Sequence, residues 1–182
     1  MFSLPFRNSR NPTIEAVYGM IVAQARSPSF YRDYRVPDTV EGRIDMIVLH
    51  LVLVLRRWRD APANVRPLGQ QIFDRFCRDM DDNFREMGVG DLTVPKEVRR
   101  VAEAFYGRAA AYEAALTDDA ALTQVLARNV FGTAQPPLGA RHLSAYMQEA
   151  ARQLATQDLS GGRLRFPDPG RLAPGGAEEW RL

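Results

Sequence analysis

The chain has 182 residues, of which 46% are hydrophobic, and this suits one domain with a sizeable core. Its formal net charge of +2 is only mildly basic, which argues against a dedicated nucleic-acid-binding protein. Cys77 is the single cysteine, so an internal disulfide and a multi-cysteine metal site are both excluded.

Residues 1–11 are predicted to be flexible, and the first helix follows them directly. Asn11 is suited to cap a helix, and Pro12 is suited to the first helical position. Apolar residues then recur at helical spacing as far as residue 25, which predicts an amphipathic helix. The aromatic and basic stretch 29–36 is interpreted as a short helical turn.

The segment 44–55 carries apolar residues on every side. It is too short to cross a bilayer, which needs roughly 20 apolar residues in a helix. Such a segment is typical of a central helix surrounded by protein. Asp38 and Glu41 have the spacing of a capping box before it, and the arginines within 56–59 mark where the helix leaves the core.

Four more helices are predicted at about 67–87, 91–116, 118–130 and 140–157 from their apolar periodicity. Gly88 is expected to be a left-handed cap. These patterns predict an all-α protein, with about six helices in a single domain around the buried central helix. The helical domain is assigned to 12–160. The proline- and glycine-rich tail 161–182 is predicted to be largely disordered, although Leu164 and Phe166 can lie back on the body.

Candidate chemical sites are few. The acidic run 79–83 resembles the start of a calcium loop, but Phe84 and Gly90 stand where that loop needs glycine and an acid. We interpret the run as a solvated helix face paired with arginines. His50 is either a haem ligand or general base, or, preferably, a core histidine bonded to a buried carboxylate or carbonyl. Since the chain has neither a nucleophile elbow nor an isolated acid pair, we expect no catalytic residue, no metal site and no cofactor.

Two basic clusters support an alternative function. Arg56, Arg57 and Arg59 end the central helix, where positive charge complements the helix dipole. The basic residues within 96–100 begin a later helix, where positive charge opposes the dipole. They are interpreted either as a solvated helix face, which is preferred, or as a contact for an anionic partner. The alternative is therefore a peripheral membrane- or RNA-associated helical adaptor that acts through its arginine clusters. An enzyme of the quinone or haem pathway, with a polar pocket around His50, ranks third.

Several long and unusual segments resemble the ubiquinol–cytochrome c chaperone family. EGRID at 41–45 is one matching segment, and the most specific are DMDDNFREMGVGDL at 79–92 and EAFYGR at 103–108. The similarity covers about residues 12–155 and is strongest over 38–116.

This resemblance implies a helical, non-enzymatic assembly chaperone that binds newly made cytochrome b and supports biogenesis of the respiratory ubiquinol–cytochrome c reductase complex. It also implies a small helical co-chaperone and a position near the ribosome exit and the membrane surface, on the matrix side of the inner membrane in mitochondria. The short, arginine-rich chain without a clear presequence resembles a bacterial member. We therefore expect it in the bacterial cytoplasm, peripheral to the inner membrane, and we expect no DNA partner.

The polar positions that match the family are the candidate partner-binding residues. They either form a client surface or join helices to one another, and the sequence supports both interpretations equally. These residues are Asp79, Asn83, Arg85, Glu86, Asp91, Lys96, Tyr106 and Arg108. A client helix would also need an apolar groove with a polar rim. Core packing is the preferred interpretation of each candidate lining residue. These residues are Phe105, Tyr106, Met80, Phe84 and Met87.

Overall fold

The computed structural model describes residues 11–59, 66–158 and 162–173. Over these residues the chain forms helices and no strand, so the predicted all-α class is confirmed. The helices are α1 (Pro12–Ala25), α2 (Pro28–Arg32), α3 (Val40–Arg59), α4 (Pro67–Glu86), α5 (Val94–Ala115), α6 (Asp119–Asn129), α7 (Leu138–Ala155) and α8 (Pro169–Leu172). Six of these have eleven residues or more, as predicted, and α2 and α8 are short additions of five and four residues.

α3 is the central helix of the domain. Every residue from position 45 to position 54 is buried. α3 contacts α1, α4, α5 and α7, so it lies at the centre of the packed helices. This is the arrangement expected of a helix without a polar face, because water on any side would meet apolar side chains. Within the described ranges, every helix falls short of the length and apolarity that a membrane crossing requires.

Local sequence signals account for several helix starts. The Asn11 side chain accepts a hydrogen bond from the Thr13 amide at 3.1 Å, as its capping role predicts. At α3 the cap differs from the prediction, because Thr39 Oγ1 accepts from the Gly42 amide at 3.1 Å. Asp38 lies one residue too early for this role and instead accepts from Arg43 Nε at 2.7 Å.

The turn between α4 and α5 confirms the predicted cap. Gly88 has a φ of +82°, in the left-handed region that glycine adopts without strain. The Val89 amide donates to the Phe84 carbonyl at 3.0 Å, which closes the end of α4.

Residues 162–173 depart from the predicted disordered tail. Leu164 and Ala173 are buried, and the Tyr34 hydroxyl donates to the Pro169 carbonyl at 2.9 Å. Gln157 donates to the Arg165 carbonyl at 2.7 Å and accepts from the Arg165 amide at 2.8 Å. The segment is held because side chains that follow α2 and α7 pair with its backbone, which composition alone does not reveal. Residues 1–10, 60–65, 159–161 and 174–182 lie outside the described part, so the predicted flexible start and domain limits stay predictions.

Candidate functional site

The predicted partner-binding residues do not form one surface. Asp79 lies between α1 and α4, where it accepts a hydrogen bond from the Tyr18 hydroxyl at 2.9 Å and pairs with Arg75 at 3.4 Å. Burial, followed by the charge of Asp79, raises the pKa of Tyr18, so the phenol keeps its proton and remains a donor. Asn83 donates to the backbone carbonyl of Asp79 at 2.5 Å. These contacts lock helices together and use Asp79 as a structural acceptor.

A second group braces the turn between α4 and α5. Arg85 bonds to Asp81 at 2.6 Å and also pairs with Asp91 across the turn. The hydrogen bond with Asp81 is the main cause of the raised pKa of Arg85. Glu86 and Lys96 are exposed nearby. The predicted helix start at residue 91 is three residues too early, because α5 begins at Val94 and Asp91 serves the ion pair instead.

Arg108 belongs to a third location, at the contact between α3 and α5. Its guanidinium lies 2.7 Å from Oδ1 of Asp45, a carboxylate on the buried helix. Burial raises the pKa of Asp45 to about 6, and the attraction of Arg108, which acts in the opposite direction, is too weak to cancel it. The pair therefore joins the two helices through a carboxyl group that is close to titrating at neutral pH.

The EGRID segment contains a glycine that the packing requires. A Cβ atom on Gly42 would collide with the carbonyl oxygen of Pro37, so no other residue fits without a backbone shift. Gly139 is similar, because its missing side chain leaves room for the Tyr34 carbonyl. Gly42 shows that part of the family-like sequence is explained by the close approach of the loop before α3 to that helix.

The open feature on the α3–α5 side of the molecule is an apolar groove of about 230 Å³. Its walls come from α3 and α5, with Met147 of α7 added. Tyr106 is 60% exposed at this groove, while its neighbour Phe105 is buried. The other lining residues are Val52, Leu53, Leu55, Arg56, Arg59, Ala109, Tyr112, Glu113 and Leu116.

The structure divides the five candidate lining residues between the groove, the core and the α4–α5 turn, and core packing was the preferred interpretation of each one. Phe105 and Tyr106 line the groove. Met80 is buried in the core and Phe84 packs against the core, while half-exposed Met87 is the cap residue of α4, near the turn. The residues of α3 were missed because a run that is apolar on every side does not reveal which stripe a neighbouring helix leaves open.

Charged residues form the rim of the groove. Arg59 donates to Glu113 at 2.8 Å and makes a second, shorter contact with the same carboxylate. This hydrogen bond is the main cause of the lowered pKa of Glu113, and the charge of Arg56 adds to it. The groove therefore combines an apolar floor with a polar rim, which is the arrangement that a bound apolar helix needs.

The arginine clusters are largely occupied by internal contacts. Arg57 donates to the carbonyls of Leu154 and Gln157, both at 3.2 Å, and so caps the end of α7. On α5, Arg99 pairs with Glu103 at 2.9 Å and Arg100 with Glu97 at 3.7 Å. These pairs reduce the positive field on which the alternative adaptor function depends.

His50 is part of a buried hydrogen-bond chain. Its Nδ1 lies 2.7 Å from the Met46 carbonyl, which can only accept, so Nδ1 carries the proton. Its Nε2 then accepts from the Tyr146 hydroxyl at 2.8 Å, and Tyr146 in turn accepts from Gln24 at 2.9 Å. Burial lowers the pKa of His50 to about 4, so the ring is neutral near pH 7. The preferred prediction of a carbonyl-bonded core histidine is confirmed.

Cys77 packs against the core and is partly buried. Burial is the main cause that raises the pKa of its thiol to about 11. A thiol with this pKa is protonated near neutral pH and is a poor nucleophile.

The fold and the groove define a class of protein, namely an all-α binding protein with an open apolar cleft. The chain belongs to the ubiquinol–cytochrome c chaperone family, whose model matches residues 32–161. Its structure is similar to the crystal structure of the Cbp3 homolog from Brucella abortus, with a TM-score of 0.80 and 37% sequence identity. That similarity covers 88% of this chain and 91% of the other. None of the curated proteins matches this chain.

Proposed function

We propose that this protein is an assembly chaperone that holds newly made cytochrome b during biogenesis of the ubiquinol–cytochrome c reductase complex. The observation that carries the proposal is the apolar groove between α3 and α5, in a chain that belongs to this chaperone family. A small helical co-chaperone and a working position at the inner membrane surface, close to the ribosome, complete the proposal. It contains no catalytic step.

The chemistry of the groove suits such a client. Cytochrome b is a membrane protein, and its apolar segments need cover until they enter the bilayer. An amphipathic or apolar helix can lay one face into a cleft whose floor is apolar and whose rim is charged. Tyr106 offers a flat aromatic surface at the mouth, and Met147 offers an adaptable contact in the floor.

The proposal is tested by crosslinking in the host cell. A photoreactive amino acid replaces Tyr106 at the groove, and in a matched strain it replaces Leu138, which is 65% exposed and does not line the groove. We expect a crosslink to newly made cytochrome b from position 106 and little from position 138. Equal yields from both positions, or none from either, would contradict a groove-bound client.

A deletion strain provides the second readout. We expect the b-type haem spectrum of the membranes and the immunoblot signal for cytochrome b to fall, while other respiratory complexes stay intact. Normal cytochrome b in the deletion strain would exclude the proposed function.

A further inference from the structure

Arg56 is the charged residue of the groove lining that has no internal ion-pair partner among the described residues. It lines the groove on α3 and is partly buried. Among the described residues, no hydrogen bond or ion pair engages its guanidinium, whereas Arg59, one turn later, is bound to Glu113. Among the described lining residues, Glu113 is the only acid and is already paired, so these residues together carry one surplus positive charge.

Arg56 places a guanidinium beside apolar lining residues. Its planar fork can bind both oxygens of a carboxylate. A carboxylate within an apolar segment needs a cationic partner, because burying an unpaired charge is costly. The groove is therefore complementary to an apolar surface that includes one acid.

We propose that the groove selects an apolar helical segment bearing one acidic side chain, and that Arg56 receives the carboxylate. This inference rests on the proposed function and names the chemistry of its client. The volume of about 230 Å³ has room for a few side chains, so the occupant lays one helical face into the groove while its remaining surface stays outside. Val52 and Leu53 contact the apolar side chains of that face, and Arg56 sits one turn further along the same helix.

The test uses the purified full-length chain and two short fluorescent peptides. Both are the same apolar, helix-forming sequence, with Glu at one central position in the first peptide and Gln in the second. Binding is followed by fluorescence anisotropy. The wild-type protein should bind the Glu peptide about tenfold more tightly, which is typical of a hydrogen bond to a charged group.

The Arg56→Gln variant should lose this preference by weakening binding of the Glu peptide alone. Arg56→Lys should keep part of the preference, because it retains the charge without the fork. Arg141→Gln is the control, since Arg141 is an exposed arginine on α7 outside the groove, and it should bind like the wild type. Thermal melts of all variants confirm that the fold is intact.

Two results would overturn the inference and they separate it from the proposed function. If the wild type and Arg56→Gln bind both peptides equally, the groove accepts apolar segments without reading charge, and the chaperone proposal stands. If neither peptide binds, the inference fails, and the crosslinks from position 106 in the cell then decide the proposed function independently.

Asp60 is the acid of this chain that lies closest to Arg56 in the sequence, four residues further along and outside the described residues. The Asp60→Asn variant controls for it and should show the same preference for the Glu peptide as the wild type. If a preference emerges only in Asp60→Asn, the carboxylate that Arg56 receives comes from this chain, and the inference is wrong.

Discussion

The carboxylate of Asp45 and the guanidinium of Arg108 lie 2.7 Å apart and join α3 to α5, the two helices that form the walls of the groove. Their side chains are 11% and 23% exposed, so water screens the pair only in part. The residues come from two of the family-like segments, EGRID and EAFYGR, which are more than sixty positions apart in the chain. The pair shows why both segments are needed for the geometry of the groove.

Asp45 should make the stability of the protein depend on pH. Its pKa rises from 3.8 to about 6 on folding, so the folded state binds more protons between these values and this group's contribution falls as pH rises. The Asp45→Asn variant lacks this titrating group. In urea unfolding, the free energy of unfolding of the wild type should fall by about 2 kcal/mol relative to that of the variant between pH 4.5 and pH 7. A difference that is independent of pH would show that Arg108 fully compensates the buried charge.

His50 should act in the opposite direction. Its pKa falls from 6.5 to about 4 on folding, so its contribution is present above pH 6.5 and is lost as pH falls towards 4. Relative to His50→Gln, the wild type should lose about 3 kcal/mol of unfolding free energy between pH 7 and pH 4. Tyr146→Phe serves as a companion, because it leaves Nε2 of His50 without a donor and should cost about 1–3 kcal/mol at pH 7. An unchanged profile in His50→Gln would mean that folding does not lower the pKa of His50.

Gly42 should tolerate no side chain. Gly42→Ala places a Cβ against the Pro37 carbonyl, and the backbone must shift to relieve the collision. We expect a loss of at least about 2 kcal/mol in unfolding free energy. The control is Gly19→Ala on α1, where the added Cβ meets open space. This change should raise the free energy of unfolding by about 0.5–1 kcal/mol, because alanine favours the helix over glycine. Equal effects of the two changes would show that the close approach of Pro37 is relieved without cost.

Two variants that leave the core unchanged distinguish the two candidate client surfaces, which are the groove and the α4–α5 turn. Tyr106→Ser changes an exposed groove residue, whereas Arg85→Ala with Lys96→Ala removes two exposed cations at the α4–α5 turn. We expect both proteins to melt close to the wild-type temperature, because exposed groups contribute little to stability. Client capture in the cell should fall in Tyr106→Ser. If only the double variant loses capture, the client surface lies at the turn.

Local patterns in the sequence determined most of the secondary structure. The caps at Asn11 and Gly88 and the buried run of α3 were readable because each depends on neighbouring residues alone. His50 was predicted to bond to a buried carboxylate or carbonyl, and its acceptor is the carbonyl of Met46. This partner lies four residues earlier on the same helix, so it depends on local structure alone.

The tertiary structure decided where these helices leave a surface open. The groove depends on α3, α5 and α7 meeting from distant parts of the chain, and the roles of Asp79 and Arg108 depend on partners on other helices. Residues 162–173 are ordered by side chains such as Tyr34, more than a hundred positions away. Hydrophobic periodicity shows which face of a helix is buried, but it contains no information about the partner that covers that face. Only the packed structure distinguishes the arginine that locks two helices from the arginine that faces the groove.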